Sequence, residues 1–371
     1  MASIRSRVGR TLTDNILTDD QLRRRPAVAA EAGYSALDPD LPHSHPKPRI
    51  GYLDGWRGLS ILAVLAGHFA QLPIMNFGRF GVEMFFVLSG SLMAQVLFIE
   101  RQPIGEFFRR RASRIWPAFL LFVVVVATVF HGNQYVSWRT LLGAFTFTIN
   151  YLTLYPDQPE VLNHIWSLSI EEWSYVFLAL IAIVSQRLKL DPILWLGIIA
   201  ALATLNGVIL SWQGLDYYHV YWRTDVRAAT LLDSVVICLL FHRHRLSIHP
   251  YAPLAAAAVA FALNTNHVPD PIKYSVGPIF LSIALASLGS APELVRNALS
   301  VRPLRLFGLI SFSLYLWQQP FVSVVEAPAI VRVACAILIA TLSYRYVENP
   351  LRRYLNSLGS KTGATGKRAP A

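Results

Sequence analysis

The chain has 371 residues, 54% hydrophobic and only 15% charged, with a formal net charge of +11. A water-soluble domain usually carries about a quarter charged residues, so this composition excludes an ordinary soluble enzyme and points to apolar runs that read as membrane helices. The basic excess does not indicate nucleic acid, because Arg and Lys crowd the ends of those runs, a pattern of membrane topology.

Residues 1–48 are polar, charged and proline-bearing, without the apolar stretch of a signal peptide, and read as a mostly disordered tail. Apolar runs then begin near residues 55, 80, 115, 138, 165, 192, 225, 251, 275, 304 and 328. They do not alternate as outer-membrane strands would. The expected fold class is all-α, a polytopic transmembrane helical bundle over residues 49–355, with a second short tail at 356–371. Cys238 and Cys335 each lie inside an apolar run. They read as small core residues, neither a disulfide framework nor a metal site.

Positive charge orients the runs. The loop "RQPIGEFFRRRASR" between the second and third runs is the densest in arginine, and the N-terminal tail is also basic. Both fall on one side if the first two runs each cross once, which makes that side cytoplasmic. The fourth run, "RTLLGAFTFTINYLTLY", is short and rich in Thr and Asn. If it crosses, the later basic loops fall outside; if it does not, they fall inside. About ten spanning helices are therefore expected, with both termini cytoplasmic and residues 138–155 re-entrant or lying at the outer interface.

The first run, "RGLSILAVLAGHF", carries Arg57 and His68. Eleven helical steps bring them to within about 20° of one face, ~16 Å apart along the axis. Asp54 shares that side. Taken alone, Arg57 reads equally well as an interfacial anchor and His68 as a satisfied core histidine. Their shared face favours a wet interior instead. In the assumed topology Glu83 of the second run and Glu171 and Glu172 of the fifth lie in the outer half, at the depth of His68. A carboxylate there can orient a histidine for general base work. On the cytoplasmic side "FFRRRASRIWP" places Arg111 and Arg114 on one side of a helix start, a phosphate-binding arrangement or simply a topology signal.

Several stretches resemble the integral-membrane acyltransferase-3 family of bacterial O-acetylases. They are "YLDGWRGLSILAVLAGHF", "GVEMFFVLSG", "RRRASRIWPAF", "HIWSLSIEEWSYV" with Trp166, "SFSLYLWQQP" and "YRYVENPLRR", in that order. Glu83 stands where that family commonly has Asp, Gln318 where it often has His, and Ala229 where it has Asp two residues after Arg227. The resemblance implies transfer of an acyl group, most often acetyl, from acyl-CoA to a hydroxyl of a carbohydrate or lipid-linked glycan in a bacterial inner membrane. It implies no metal and no tightly bound cofactor; acyl-CoA, the glycan and membrane lipids are the partners. On that basis Arg57, Arg111 and Arg114 are expected to bind the donor. His68 is expected to act as base, Glu171 or Glu83 to orient it, and Glu172, Arg227 and Trp166 to support the site. Buried charges on several helices would equally serve a transporter or flippase.

Overall fold

The computed structural model describes residues 50–70, 72–130, 136–152 and 160–365. The tail read at 1–48 lies outside them, as do residues 366–371. Every extended element among the described residues is helical, with one isolated bridge between Met75 and Thr265.

Helix α1 (Gly51–Leu65) winds into a π turn at Ala66–Ala70, and α2 (Phe77–Met93) into another at Ala94–Ile99. Then come α3 (Ile104–Val129), the short α4 (Trp138–Phe145) and α5 (Ile149–Leu152), and a 3-10 turn (Glu160–Ile165) that leads into α6 (Trp166–Leu188). Helices α7 (Pro192–Trp212), α8 (Tyr217–Tyr221), α9 (Thr224–His244), α10 (Ala252–Leu263), α11 (Asp270–Ser275) and α12 (Gly277–Ala286) follow. The chain closes with α13 (Glu293–Leu299), α14 (Arg302–Ser323), α15 (Ala329–Ser343), a π turn (Tyr344–Glu348) and α16 (Asn349–Thr365). The last helix enters the segment that composition reads as a tail.

The ends of these helices have local causes. The Asn76 side chain accepts from the Arg79 amide and caps α2. Asp191 caps α7, with Pro192 at its first position. Left-handed Lys189 and Arg245 terminate α6 and α9.

Among the described residues, five helices are long and apolar enough to cross a membrane: Phe77–Ile99, Ile104–Val129, Val161–Leu188, Pro192–Trp212 and Ala329–Leu358. The pair Glu293–Leu299 and Arg302–Ser323, bent by 51°, makes a sixth if taken as one span. The other expected runs also fold as helices, but they are short, as in α10 and α12, or carry charge, as α9 does with Asp225, Arg227 and Asp233. The weak fourth run breaks into α4 and α5 around left-handed Phe147. Eight residues rise only ~12 Å, well short of a bilayer core.

Side-chain pairs give the relative directions. Arg111 meets Glu171 while Phe122 meets His164, so α3 and α6 are antiparallel. Glu83 with Arg227, Val87 with Ser234 and Ser91 with Cys238 run in step, so α2 and α9 are parallel. Helix α1 lies against α14 by backbone contact. A Cβ on Gly55 or Gly58 would overlap the carbonyls of Leu299 and Leu304, and one on Gly308 would overlap that of Asp54. Small residues let membrane helices approach this closely. On the other side of α1, Trp56 donates to the Met84 carbonyl (3.0 Å) and joins a core of Val87, Leu88, Ala256, Ala260, Leu281 and Leu285.

Candidate active site

A cavity enclosing about 840 Å³ of empty space, part of it open to solvent, lies between α1, α2, α3, α6 and α14. Its polar lining includes Arg57, Arg111, Arg114, Ser89, Glu171 and Tyr315; Phe85, Phe86, Leu92 and Phe312 supply apolar wall.

The three arginines are in different states. The Arg57 guanidinium donates to Asp54 at 3.2 Å, one turn away. Arg111 is held on two edges. Its Nε donates to Glu172 (2.9 Å) and its Nη2 to Glu171 (3.2 Å), while the Tyr175 ring lies 3.5 Å beneath it. Glu171 also accepts from Ser89 at 2.7 Å. Adjacent helical carboxylates point about 100° apart, and the planar fork of arginine presents donors in both directions. That match explains how Glu171 and Glu172 serve one cation. Arg114 also faces the cavity, yet it makes no hydrogen bond or ion pair among the described residues. Its donors are open to a ligand.

His68 sits in the π turn that ends α1. Wide turns of this kind occur often at functional sites. Its Nδ1 is 3.3 Å from Oε1 of Gln318, a fully buried residue of α14. The opposite edge of the ring lies along Gly78, where an added Cβ would be 3.5 Å from Cδ2 and Nε2. A second imidazole, His164, stands in the 3-10 turn ahead of α6. It is buried, its ring packs edge-on against Phe122 (5.4 Å), and neither ring nitrogen has a hydrogen-bond partner among the described residues. The Tyr315 hydroxyl donates to the His164 carbonyl (2.6 Å) and lies 2.6 Å from Ser167 Oγ. Tyr315 and Ser167 both line the cavity, so a contact runs from its wall to the backbone of His164.

The remaining expected residues lie apart from His68. Glu83 is wholly buried and accepts from Arg79 (3.1 Å) and Arg227 (3.0 Å). Arg79 reaches on to Asp270 (3.1 Å), and the rings of Tyr217, Tyr221 and Tyr274 surround its guanidinium. Trp166 stacks on Trp222 and lies against Tyr221. This cluster ties α2 to α9 and α11. The expected meeting of Glu83, Glu171 and Glu172 with His68 is therefore not found; none of them bonds to it. The pairing with Arg111 puts Glu171 and Glu172 at the level of the arginines and not at that of His68, and each of the three carboxylates has gone to a guanidinium, the partner that offsets its desolvation.

Sequence reading passed over His164, Tyr315 and Ser89 as site residues. His164 and Tyr315 stand inside the quoted stretches "HIWSLSIEEWSYV" and "SFSLYLWQQP". A histidine two residues before Trp166 on an apolar helix start was the available signal.

The family model described as an acyltransferase domain matches residues 50–343. The chain is 30% identical to the peptidoglycan O-acetyltransferase OatA of Listeria monocytogenes, over 81% of this chain and 55% of that protein. It is 27% identical to "Putative peptidoglycan O-acetyltransferase YrhL" of Bacillus subtilis, over 81% of this chain and 54% of the other. It is also 27% identical to a protein of Staphylococcus aureus strain COL named as a "Putative O-acetyltransferase", covering 57% of it. The chain thus spans about half the length of these relatives. No solved structure matches it.

Proposed function

The chain belongs to the acyltransferase domain family, and from that premise we propose that it moves an acetyl group from acetyl-CoA to a hydroxyl of a glycan across the thickness of a bacterial inner membrane. The observation that supports this reading is the open Arg114 guanidinium, which shares with Arg57 a cavity whose wall includes Ser167 and Tyr315. Arg114 and Arg57 take the phosphates of the donor, Arg114 with its full fork. Arg111, held between Glu171 and Glu172, has its charge offset by them and shapes the wall. The apolar wall accepts the thin thioester arm. The named activity of OatA, O-acetylation of peptidoglycan, supports a glycan acceptor.

His68 Nε2 takes the proton from the acceptor hydroxyl as its oxygen attacks the thioester carbonyl. The new C–O bond forms, the C–S bond breaks, and the proton passes from His68 to the leaving thiolate. We place the arginine end in the cytoplasm, where acyl-CoA is made, and His68 toward the outer face, with both termini inside.

Exchanging His68 for alanine is expected to lower acetyl transfer by about 10²–10⁴-fold, the usual contribution of a general base, with acetyl-CoA binding retained. Undiminished transfer per folded molecule overturns the role. A transport protein would instead translocate its cargo without releasing the thiol of CoA, so an absence of acceptor-dependent thiol release from the wild-type protein overturns the enzyme reading.

A further inference from the structure

His68 has a neutral partner on one side and a glycine on the other. Its Nδ1 faces a carbonyl oxygen, Oε1 of Gln318, at 3.3 Å. A neutral imidazole carries one proton, and two acceptors cannot bond to each other, so this pairing puts the proton on Nδ1 and the lone pair on Nε2. The Nε2 edge lies along Gly78, which has no side chain to fill the space. The reverse orientation of the amide would protonate Nε2 and leave no lone pair on the glycine side.

We propose that Gln318 is a positioning residue for the transfer: it fixes the tautomer and ring angle of His68 so that Nε2, beside Gly78, is the basic nitrogen. This rests on the reading of His68 as base. It turns a residue that departs from the family's histidine into a working part of this site. An amide does one of the two things a carboxylate partner would do. It orients the ring without adding a charge that raises the basicity of the imidazole. Arg332 of α15 lies over the ring of its neighbour Phe69 at 5.5 Å. No carboxylate bonds to His68 among the described residues.

The tautomer can be read without any turnover. The full chain, labelled with ¹⁵N-histidine and held in detergent micelles, gives imidazole nitrogen shifts, and a His68→Gln sample assigns the His68 signals by difference. A protonated Nδ1 and a bare Nε2 are expected, and Gln318→Leu should release the ring to a mixture of tautomers. A protonated Nε2 in the wild-type protein overturns the proposal, as does a Gln318→Leu spectrum identical to wild type. Kinetics give a second arm, with acetyl-CoA as donor and an N-acetylglucosamine oligosaccharide as acceptor. Gln318→Glu should move the acidic limb of the kcat/KM profile to higher pH by about one unit or more, because a carboxylate at Nδ1 favours the imidazolium. Gln318→His, whose ring nitrogen can accept the same proton, should keep the wild-type limb. A Gln318→Glu protein that binds acetyl-CoA normally yet keeps the wild-type limb overturns the positioning role. If His68→Ala transfers acetyl normally while the tautomer is as expected, the base reading fails and the hydrogen bond alone stands.

Discussion

At the scale of single residues, the arginines divide by what already holds them. Arg114 has open donors, so Arg114→Ala should cost donor affinity and little else. A lost charged hydrogen bond to phosphate corresponds to about tenfold or more in Kd for acetyl-CoA, measurable by equilibrium binding on purified protein with an unchanged melting temperature. Arg111→Ala should behave in the opposite way, because it leaves the half-buried Glu171 and Glu172 without their cation. A loss of about 3 kcal/mol is expected, seen as reduced yield and a lower melting temperature, and Glu171→Gln with Glu172→Gln in the same chain should recover part of it. Equal loss of affinity with equal stability for the two single variants would dissolve the distinction. Short spacing along one helix put Arg111 and Arg114 on one side in the sequence, and both line the cavity with Arg57. The sequence marked Gln318 as a departure from the family's histidine but did not show its pairing with His68, 250 positions away. A pairing at that distance follows from how helices are laid side by side, and no local pattern encodes it.

At the scale of helices, the joint between α1 and α2 makes a sharp comparison. A Cβ on Gly67 would overlap the backbone of Gly78, so Gly67→Ala must push the helices apart and should abolish folded protein. A Cβ on Gly78 would sit at 3.4–3.5 Å from Asn76 and His68, ordinary van der Waals distance. Gly78→Ala should therefore fold at wild-type yield and still lose turnover, because it fills the space at Nε2. Normal kcat in that variant would place the reaction on another edge of the ring. Glu83 is a packing centre on the same scale, joining α2 to α9 and α11 through two buried guanidiniums. Glu83→Ala should destabilise by about 3–5 kcal/mol while the surviving folded fraction keeps its specific activity. A stable but inactive Glu83→Ala protein would return that carboxylate to the chemistry. Hydropathy located the long helices well. It did not anticipate the π turns, which depend on one residue more or less per turn, or the partition of the charged runs, whose burial depends on partners from other helices.

At the scale of the molecule, the contacts sort the basic residues by end. Helix α6 finishes, and α3 starts, at the same end, and Asp191 and Arg243 join the α6–α7 loop to the finish of α9 there (2.7 Å). Arg109 bonds to Leu355 and Asn356 and brings α16 to that end as well. Arg187, Lys189, Arg245 and Arg352 therefore gather with the arginine cluster, as the positive-inside rule asks of a cytoplasmic face. In a background with Cys238 and Cys335 exchanged for alanine, Lys189→Cys should react with a membrane-impermeant maleimide only after the cells are opened. Leu215→Cys, in the exposed loop after α7, should react in intact cells. The reverse pattern would invert the orientation.

The glycine joints also decide what is able to move. Helix α1 is bolted by backbone contact to α14 at its Arg57 end and to α2 at its His68 end. No layer of side chains lies between these backbones to let them slide. The far part of α14 is freer, because Pro320 inside the helix has no N–H to return to the carbonyl of Leu316. Gln318 rides on that weakened turn. The amide that meets Nδ1 is thus carried by a turn that lacks one backbone hydrogen bond, while the helix that carries His68 is fixed on both sides.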